Sequence, residues 1–150
     1  LLAWRTRSVA LGISAGLAMA GATYLLFPVG QALMHSLHGE VARLYGQLHT
    51  PPGPLRALPV LMLVVVAEEL LFRGVLVKAL LPFGGVVAVG GAALLYALPQ
   101  LGTGAALLIS LALCCGLLWG LLRVLANDLL TPLLAHLVWD LLVFVFVPLV

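Results

Sequence analysis

Long apolar stretches separated by short polar turns run through this chain and restrict how it can fold. They lie at about 8–28, 57–81, 86–100, 105–125 and from about 132 to the C-terminus. A helix of about 20 apolar residues crosses the hydrocarbon core of a bilayer. Only 8% of the 150 residues are charged, against about 25% in a soluble domain. We therefore predict an all-α polytopic membrane bundle of about five transmembrane helices.

One polar segment, residues 31–50, interrupts this apolar pattern. Its apolar side chains recur every three or four positions, as on one face of a helix: Leu33, Leu37, Val41, Leu44 and Leu48. This pattern predicts an amphipathic helix lying in the membrane interface. We expect residues 1–56 to form the first transmembrane helix with this interfacial helix, and residues 57–150 to form a four-helix core that carries the chemistry.

Small residues at a spacing of four predict close contacts between helices. Gly12, Gly16 and Ala20 have this spacing in the first apolar stretch, and Gly116 and Gly120 have it in the fourth. Because a missing side chain lets two backbones approach, we expect a neighbouring helix to pack against each of these faces.

Charged residues inside the apolar stretches point to function. The chain has five acidic residues, and Glu68, Glu69 and Asp140 lie within predicted spans. A charge at the bilayer centre costs on the order of 3 kcal/mol, so each needs a partner or a chemical role. Glu69 and Arg73 are four residues apart and can pair along a helix, as can His136 and Asp140.

Glu68 differs from its neighbour because it points about 100° away on an α-helix and has no cation at that spacing. The paired residues can act simply as polar links between helices. An unpaired carboxylate with little water around it is better suited to activating a water molecule or shuttling a proton. The residues alone leave both interpretations open for His136 and Asp140.

Three short motifs resemble those of the CPBP family (CAAX protease and bacteriocin-processing, or Abi), which are intramembrane endopeptidases. The motifs are Glu68-Glu69-Leu-Leu-Phe-Arg73-Gly74, similar to EExxxR, then Tyr96-Ala-Leu-Pro-Gln100 at the place of FxxxH, and His136-Leu-Val-Trp-Asp140, similar to HxxxN/D. The resemblance covers roughly residues 58–150. It implies a glutamate-dependent protease that cleaves a peptide bond of a membrane-associated substrate.

The resemblance also implies a role for each motif residue. Glu68 is expected to be the general base that activates a water, while Glu69 and Arg73 organise the site. His136 and Asp140 are expected to support the tetrahedral oxyanion, Asp140 either in its protonated form or by orienting His136.

Gln100 departs from the family pattern, which has histidine at this position. Glutamine can hold a water molecule by hydrogen bonds but cannot take its proton. Either Glu68 works as the sole base while Gln100 positions the water, or the site is degenerate. Gln100 joins the site only if the third span is tilted or continues past Pro99.

Two other functions compete with a protease. A non-catalytic relative that binds a membrane peptide or partner protein, in an immunity or scaffold role, is favoured by Gln100. A small transporter or proton-relay subunit is suggested by intramembrane charges in general, but the chain shows no inverted repeats or paired broken helices. A net charge of +2, without a basic stripe, argues against nucleic-acid binding.

We expect neither a metal nor another cofactor. Glu68, Glu69 and His136 are possible zinc ligands, but HExxH is absent and too few nitrogen or sulfur ligands accompany them. His35 and His38 lack a completing cluster, and with His49 they are expected to face solvent or headgroups. The expected partners are the lipid bilayer and a peptide or protein substrate, and the expected location is the bacterial inner membrane.

Overall fold

A computed structural model describes residues 5–33, 36–48 and 54–149, and these ranges contain helices and turns but no strand. Its α-helices are α1 (Thr6–Leu33), α2 (Leu37–Leu48), α3 (Pro54–Glu68), α4 (Val77–Leu80), α5 (Gly85–Ala97), α6 (Ala106–Ala126) and α7 (Leu130–Asp140). A π-helical segment, Glu69–Leu76, joins α3 to α4, and another, Leu141–Phe146, extends α7. Short 3₁₀ turns follow α4 and α5 at Leu81–Phe83 and Leu98–Thr103. The predicted all-α helical bundle is confirmed.

The first and last helices run parallel, side by side. At one end, the Ser8 hydroxyl donates a 2.9 Å hydrogen bond to Asp128, just before α7. Near the other end, the Tyr24 hydroxyl donates a 3.1 Å bond to the carbonyl of Leu142. These contacts fix the position of α7 along the axis of α1. Helix α7 carries His136 and Asp140.

The small residues of α1 form its contact with α7, as their spacing predicts. Gly12, Gly16 and Ala20 are buried there. A Cβ atom built on Gly16 would lie 2.7 Å from the Cβ of Val138 and 2.8 Å from the carbonyl oxygen of Ala135. Since real Cβ atoms do not approach so closely, only glycine permits this separation between the two helices.

Helices α5 and α6 pack antiparallel through the second pair of glycines. A Cβ atom on Gly116 would lie 3.1 Å from the Cα atom of Ala93, and one on Gly120 would lie 3.3 Å from Cγ1 of Val89. This close packing brings Trp119, between the two glycines, into the interior, where it is 1% exposed.

The distribution of side chains is that of a protein surrounded by lipid. Large apolar side chains cover the outside, for example Val86 at 89% exposure and Leu25 at 77%, whereas Glu69 and Arg73 are at most 1% exposed. Without water around the bundle, a charged group is more stable in the interior beside a partner.

Within the part of the chain that the structure describes, three helical stretches are long and apolar enough to cross a membrane: Thr6–Leu33, Gly85–Thr103 and Ala106–Ala126. The continuous helical stretch that contains Glu68, residues 54–80, is of similar length but carries the charged residues Glu68, Glu69 and Arg73, and Leu130–Phe146 is shorter. The integral membrane character is thus supported, while the count of five spans stays a prediction.

Helix α2 has the predicted amphipathic pattern but a different start. Its buried residues Leu37, Val41 and Tyr45 pack under the end of the bundle against side chains such as Phe27 and Leu107. The prediction that this helix begins near residue 31 is wrong, because residues 31–33 complete the last turn of α1. His35 and His49 lie outside the described residues.

The turn before α7 is held by a buried carboxylate. Asp128 accepts hydrogen bonds from the backbone N–H of Thr131 at 2.8 Å and from the Ser8 hydroxyl at 2.9 Å. Burial by itself would raise the pKa of Asp128, but the hydrogen bonds from Thr131 and Ser8 outweigh this effect and lower it below the ordinary value. Asp128 therefore binds a backbone N–H in the first turn of α7 and connects this turn to α1.

Candidate functional site

The motif helix is the continuous helix formed by α3, the π-helical segment Glu69–Leu76 and α4, and its paired carboxylates lie where its geometry changes. Helix α3 ends at Glu68, and the π-helical segment begins at Glu69. Single π turns within α-helices frequently occur at functional sites. The two neighbouring side chains have different surroundings, since the side chain of Glu68 is 30% exposed and that of Glu69 is 1% exposed.

Glu69 and Arg73 form the predicted ion pair, with 3.1 Å between Nη1 and Oε1. The guanidinium also lies against aromatic rings, 4.6 Å from the ring centre of Tyr96 and 5.2 Å from that of Trp119. Its Nη2 approaches the carbonyl oxygen of Gly116 at 3.5 Å. Because the pair is enclosed, the charge of Arg73 compensates Glu69 and is not open to a substrate.

His136 connects this ion pair to the rest of the site. Its Nδ1 lies 2.9 Å from Oε1 of Glu69. With Glu69 ionised beside Arg73, Nδ1 is the donor of this contact, because a carboxylate only accepts hydrogen bonds. The imidazole also stacks on the indole of Trp119, with 3.6 Å between ring centres and 19° between planes. Glu69 and Trp119 together fix the orientation of the imidazole ring.

The opposite nitrogen of His136 faces two further carboxylates. Its Nε2 lies 3.9 Å from Oε2 of Glu68 and 3.7 Å from Oδ2 of Asp140. Both distances exceed those of direct hydrogen bonds. The spacing of four residues does bring His136 and Asp140 to one helix face, but the close partner of the imidazole is Glu69.

Glu68 accepts a hydrogen bond from a residue that the sequence analysis did not single out as functional. The Tyr96 hydroxyl donates to Oε2 of Glu68 over 2.8 Å. The useful signal in the sequence is the hydroxyl itself, because Tyr96 occupies the place of phenylalanine in the second motif. Trp119 was missed as well, because its position between two glycines suggested packing alone.

A cavity of about 180 Å³, the polar cavity, lies between these side chains. Four of the six predicted site residues line it: Glu68, Gln100, His136 and Asp140. Glu69 and Arg73 do not line it and lie behind His136 and Tyr96. The structure thus separates the polar groups that line the cavity from an enclosed ion pair that lies behind them.

Gln100 reaches this cavity because the chain continues past Pro99 as the 3₁₀ turn Leu98–Thr103. The third span therefore continues past Pro99, which is one of the two arrangements expected to bring Gln100 into the site. Within the described residues, the side chain of Gln100 makes no hydrogen bond. The backbone carbonyl oxygen of Gln100 accepts one from the Thr103 hydroxyl.

A second, apolar cavity of about 360 Å³ adjoins the first. It lies between α1, α2, α6 and the end of α7. The two cavities share four lining residues: Leu111, Cys115, Trp139 and Phe144. The polar cavity and the apolar cavity therefore lie on opposite sides of these four side chains.

The described part of the chain contains no group of three or more His, Cys, Asp or Glu side chains arranged to hold a metal ion. The expectation of a metal-free site stays a prediction.

Comparison with known proteins gives a match to a family model. The sequence model of a family described as type II CAAX prenyl endopeptidase Rce1-like matches residues 50–142, well over half of the chain. That range contains all three motifs and every residue of the polar cavity except Phe144. No curated protein and no solved structure matches.

Proposed function

Because the chain belongs to the Rce1-like family of type II CAAX prenyl endopeptidases, we propose that it is an intramembrane protease whose general base is Glu68. The observation that carries this proposal is the contrast between two adjacent carboxylates. Glu69 is enclosed and paired with Arg73, whereas Glu68 opens into the polar cavity beside His136. A base must reach the proton that it removes, and only Glu68 of this pair is accessible.

The reaction begins with a water molecule in the polar cavity. Glu68 takes one of its protons while the water oxygen bonds to the carbonyl carbon of the substrate peptide. The carbonyl π electrons move to oxygen, and a tetrahedral oxyanion forms. When the C–N bond breaks, Glu68 returns the proton to the leaving amine nitrogen, so that the base is regenerated.

His136 is the donor best placed for this oxyanion. As an imidazolium, it donates from Nδ1 to Glu69 and from Nε2 toward the cavity, where Asp140 and Glu68 lie within 3.9 Å. Carboxylates around an imidazolium stabilise its charge by electrostatic attraction. Asp140 thereby supports the oxyanion through His136, and Gln100 holds the water by hydrogen bonds.

The neighbouring apolar cavity supports a substrate that carries an apolar chain. Its walls are almost entirely apolar, and it shares Trp139 and Phe144 with the polar cavity. A peptide anchored in the bilayer by a prenyl group, as in the description of the family, would place its chain there and its peptide bond beside Glu68. The location in a bacterial inner membrane stays a prediction.

The test is cleavage of a prenylated CAAX peptide in lipid vesicles by purified protein. Glu68→Gln keeps the size of the side chain and removes the base, so we expect the rate to fall at least about 100-fold. The matched control is Lys78→Gln, which removes an exposed charge from the same helix outside the cavity. Cleavage by Glu68→Gln at the wild-type rate would contradict the proposal.

A second candidate function, binding of a membrane peptide without cleavage, is favoured by Gln100 in place of the motif histidine. The same assay separates the two. Wild-type protein that holds the peptide but leaves it intact, together with a Gln100→His variant that cleaves it, would establish a binding protein with a lost activity.

A further inference from the structure

The second motif contributes a polar group to the site, but from a different position than its pattern suggests. Tyr96 and Gln100 both line the polar cavity. The Tyr96 hydroxyl donates a 2.8 Å hydrogen bond to Glu68. Among the described residues, no other side chain donates a hydrogen bond to Glu68, and the side chain of Gln100 makes none. The group that holds the proposed base is therefore one turn away from the glutamine.

The Tyr96 ring is held firmly enough to direct its hydroxyl. Phe72 makes a T-shaped contact with it, with 4.9 Å between ring centres, and Trp119 lies at 6.2 Å. The guanidinium of Arg73 lies 4.6 Å from its centre. Contacts on several sides leave the hydroxyl little freedom, so its bond to Glu68 is preorganised.

We propose, on the basis of the proposed function, that Tyr96 is the positioning residue for Glu68. Its hydroxyl fixes Oε2 of the carboxylate and leaves Oε1 to accept the proton of the attacking water. This arrangement takes over the contribution of the motif histidine, because residue 100 of this chain is a glutamine. A base held in one orientation reacts faster, because less freedom is lost on reaching the transition state.

Tyr96→Phe tests this directly, since it removes one oxygen atom and keeps the aromatic contacts. With the vesicle-bound prenylated peptide, we expect kcat to fall about 10- to 100-fold, with KM within about two-fold of the wild-type value. The unfolding temperature in detergent should stay close to that of wild type. The matched control is Ser110→Ala, which removes an exposed hydroxyl from α6 outside both cavities. Its kcat per folded molecule should be unchanged.

The double variant Tyr96→Phe/Gln100→His distinguishes positioning from packing. A histidine at position 100 faces the same cavity and can donate a hydrogen bond to Glu68, so we expect it to recover at least about ten-fold of the lost kcat. A general weakening of the fold would not be repaired by a change at a second position.

Two results would overturn the proposal. One is a kcat of Tyr96→Phe within two-fold of wild type. The other is a loss of kcat that follows a lower unfolding temperature and is not recovered in the double variant. Activity retained by Glu68→Gln refutes the proposed function itself. An inactive Glu68→Gln combined with a fully active Tyr96→Phe refutes the role of Tyr96 alone.

Discussion

Two adjacent glutamates have opposite surroundings at the centre of this protein. Glu69 interacts with Arg73 at 3.1 Å and with His136 at 2.9 Å, and its side chain is 1% exposed. Glu68 accepts a hydrogen bond from the Tyr96 hydroxyl and lines the polar cavity. Since a buried charge needs compensation and a base needs access, the first is suited to holding the site and the second to reacting.

Removal of Arg73 should expose the cost of the buried carboxylate. In Arg73→Met the side chain keeps its bulk, but Glu69 loses the cation that compensates it. Breaking a buried ion pair from one side typically costs about 3–5 kcal/mol, so we expect a clearly lower free energy of unfolding. Thermal or denaturant unfolding in detergent measures this change.

The double variant Glu69→Gln/Arg73→Met is the control, because it removes both charges. It should recover part of the stability and none of the peptidase activity, since the introduced amide holds His136 less firmly than a carboxylate does. An Arg73→Met protein as stable as wild type would show that the pair does not stabilise the fold.

At the scale of elements, the motif helix departs from the regular α-helix assumed from the sequence. The change to a π-helical segment begins at Glu69 and ends at Leu76, so it spans Arg73 and Gly74. The spacing of four still brings Glu69 and Arg73 together. Regular helix geometry gives the direction of the Glu68 side chain only relative to that of Glu69. The hydrogen bond from Tyr96 of α5 settles where the Glu68 side chain points.

The contact between α1 and α7 provides a prediction with a matched control on the same helix. In Gly16→Ala the added methyl group would lie 2.7 Å from Val138 and 2.8 Å from the backbone oxygen of Ala135. In Gly21→Ala it would meet no atom within 4 Å. Alanine is favoured over glycine in a helix interior by about 1 kcal/mol.

We therefore expect Gly21→Ala to leave stability unchanged or slightly increased, and Gly16→Ala to lower it. Separation of α1 from α7 should also shift His136, so peptidase activity should fall in Gly16→Ala only. Unfolding temperature and cleavage rate, measured on both proteins in the same detergent, test this. Equal behaviour of the two variants would exclude a tight contact at Gly16.

At the scale of the whole molecule, residues 1–56 and 57–150 were predicted to be separate units, and this division stays a prediction. The structure shows how strongly they interact. Ser8, Gly12, Gly16 and Tyr24 of α1 contact α7 or the segments next to it. Helix α2 closes one end of the bundle through Leu107 and Phe144.

A split protein tests the dependence of one unit on the other. We expect residues 57–150 expressed alone to accumulate poorly in membranes and to lack peptidase activity, because α7 loses the helix that aligns His136 and Asp140. Co-expression of residues 1–56 as a separate piece should restore both. Full activity of the isolated 57–150 piece would show that the core is independent of α1.

The sequence by itself determined the environment and the candidate groups. Apolar stretches indicate a helical membrane bundle because the bilayer requires every backbone polar group to be bonded within the chain. The spacing of Glu69 and Arg73 predicts their pair, since residues four apart are neighbours on a helix. Gly12, Gly16, Gly116 and Gly120 are correctly assigned to close contacts for a similar local reason.

Only the tertiary structure decided which side chains meet between helices. His136 lies closer to Glu69 than to Asp140, the Tyr96 hydroxyl binds Glu68, and Trp119 stacks on the imidazole of His136. Such contacts depend on the separation, direction and rotation of packed helices. The periodicity of a single helix does not contain this information, because it relates residues along one axis and leaves the relation between axes to packing.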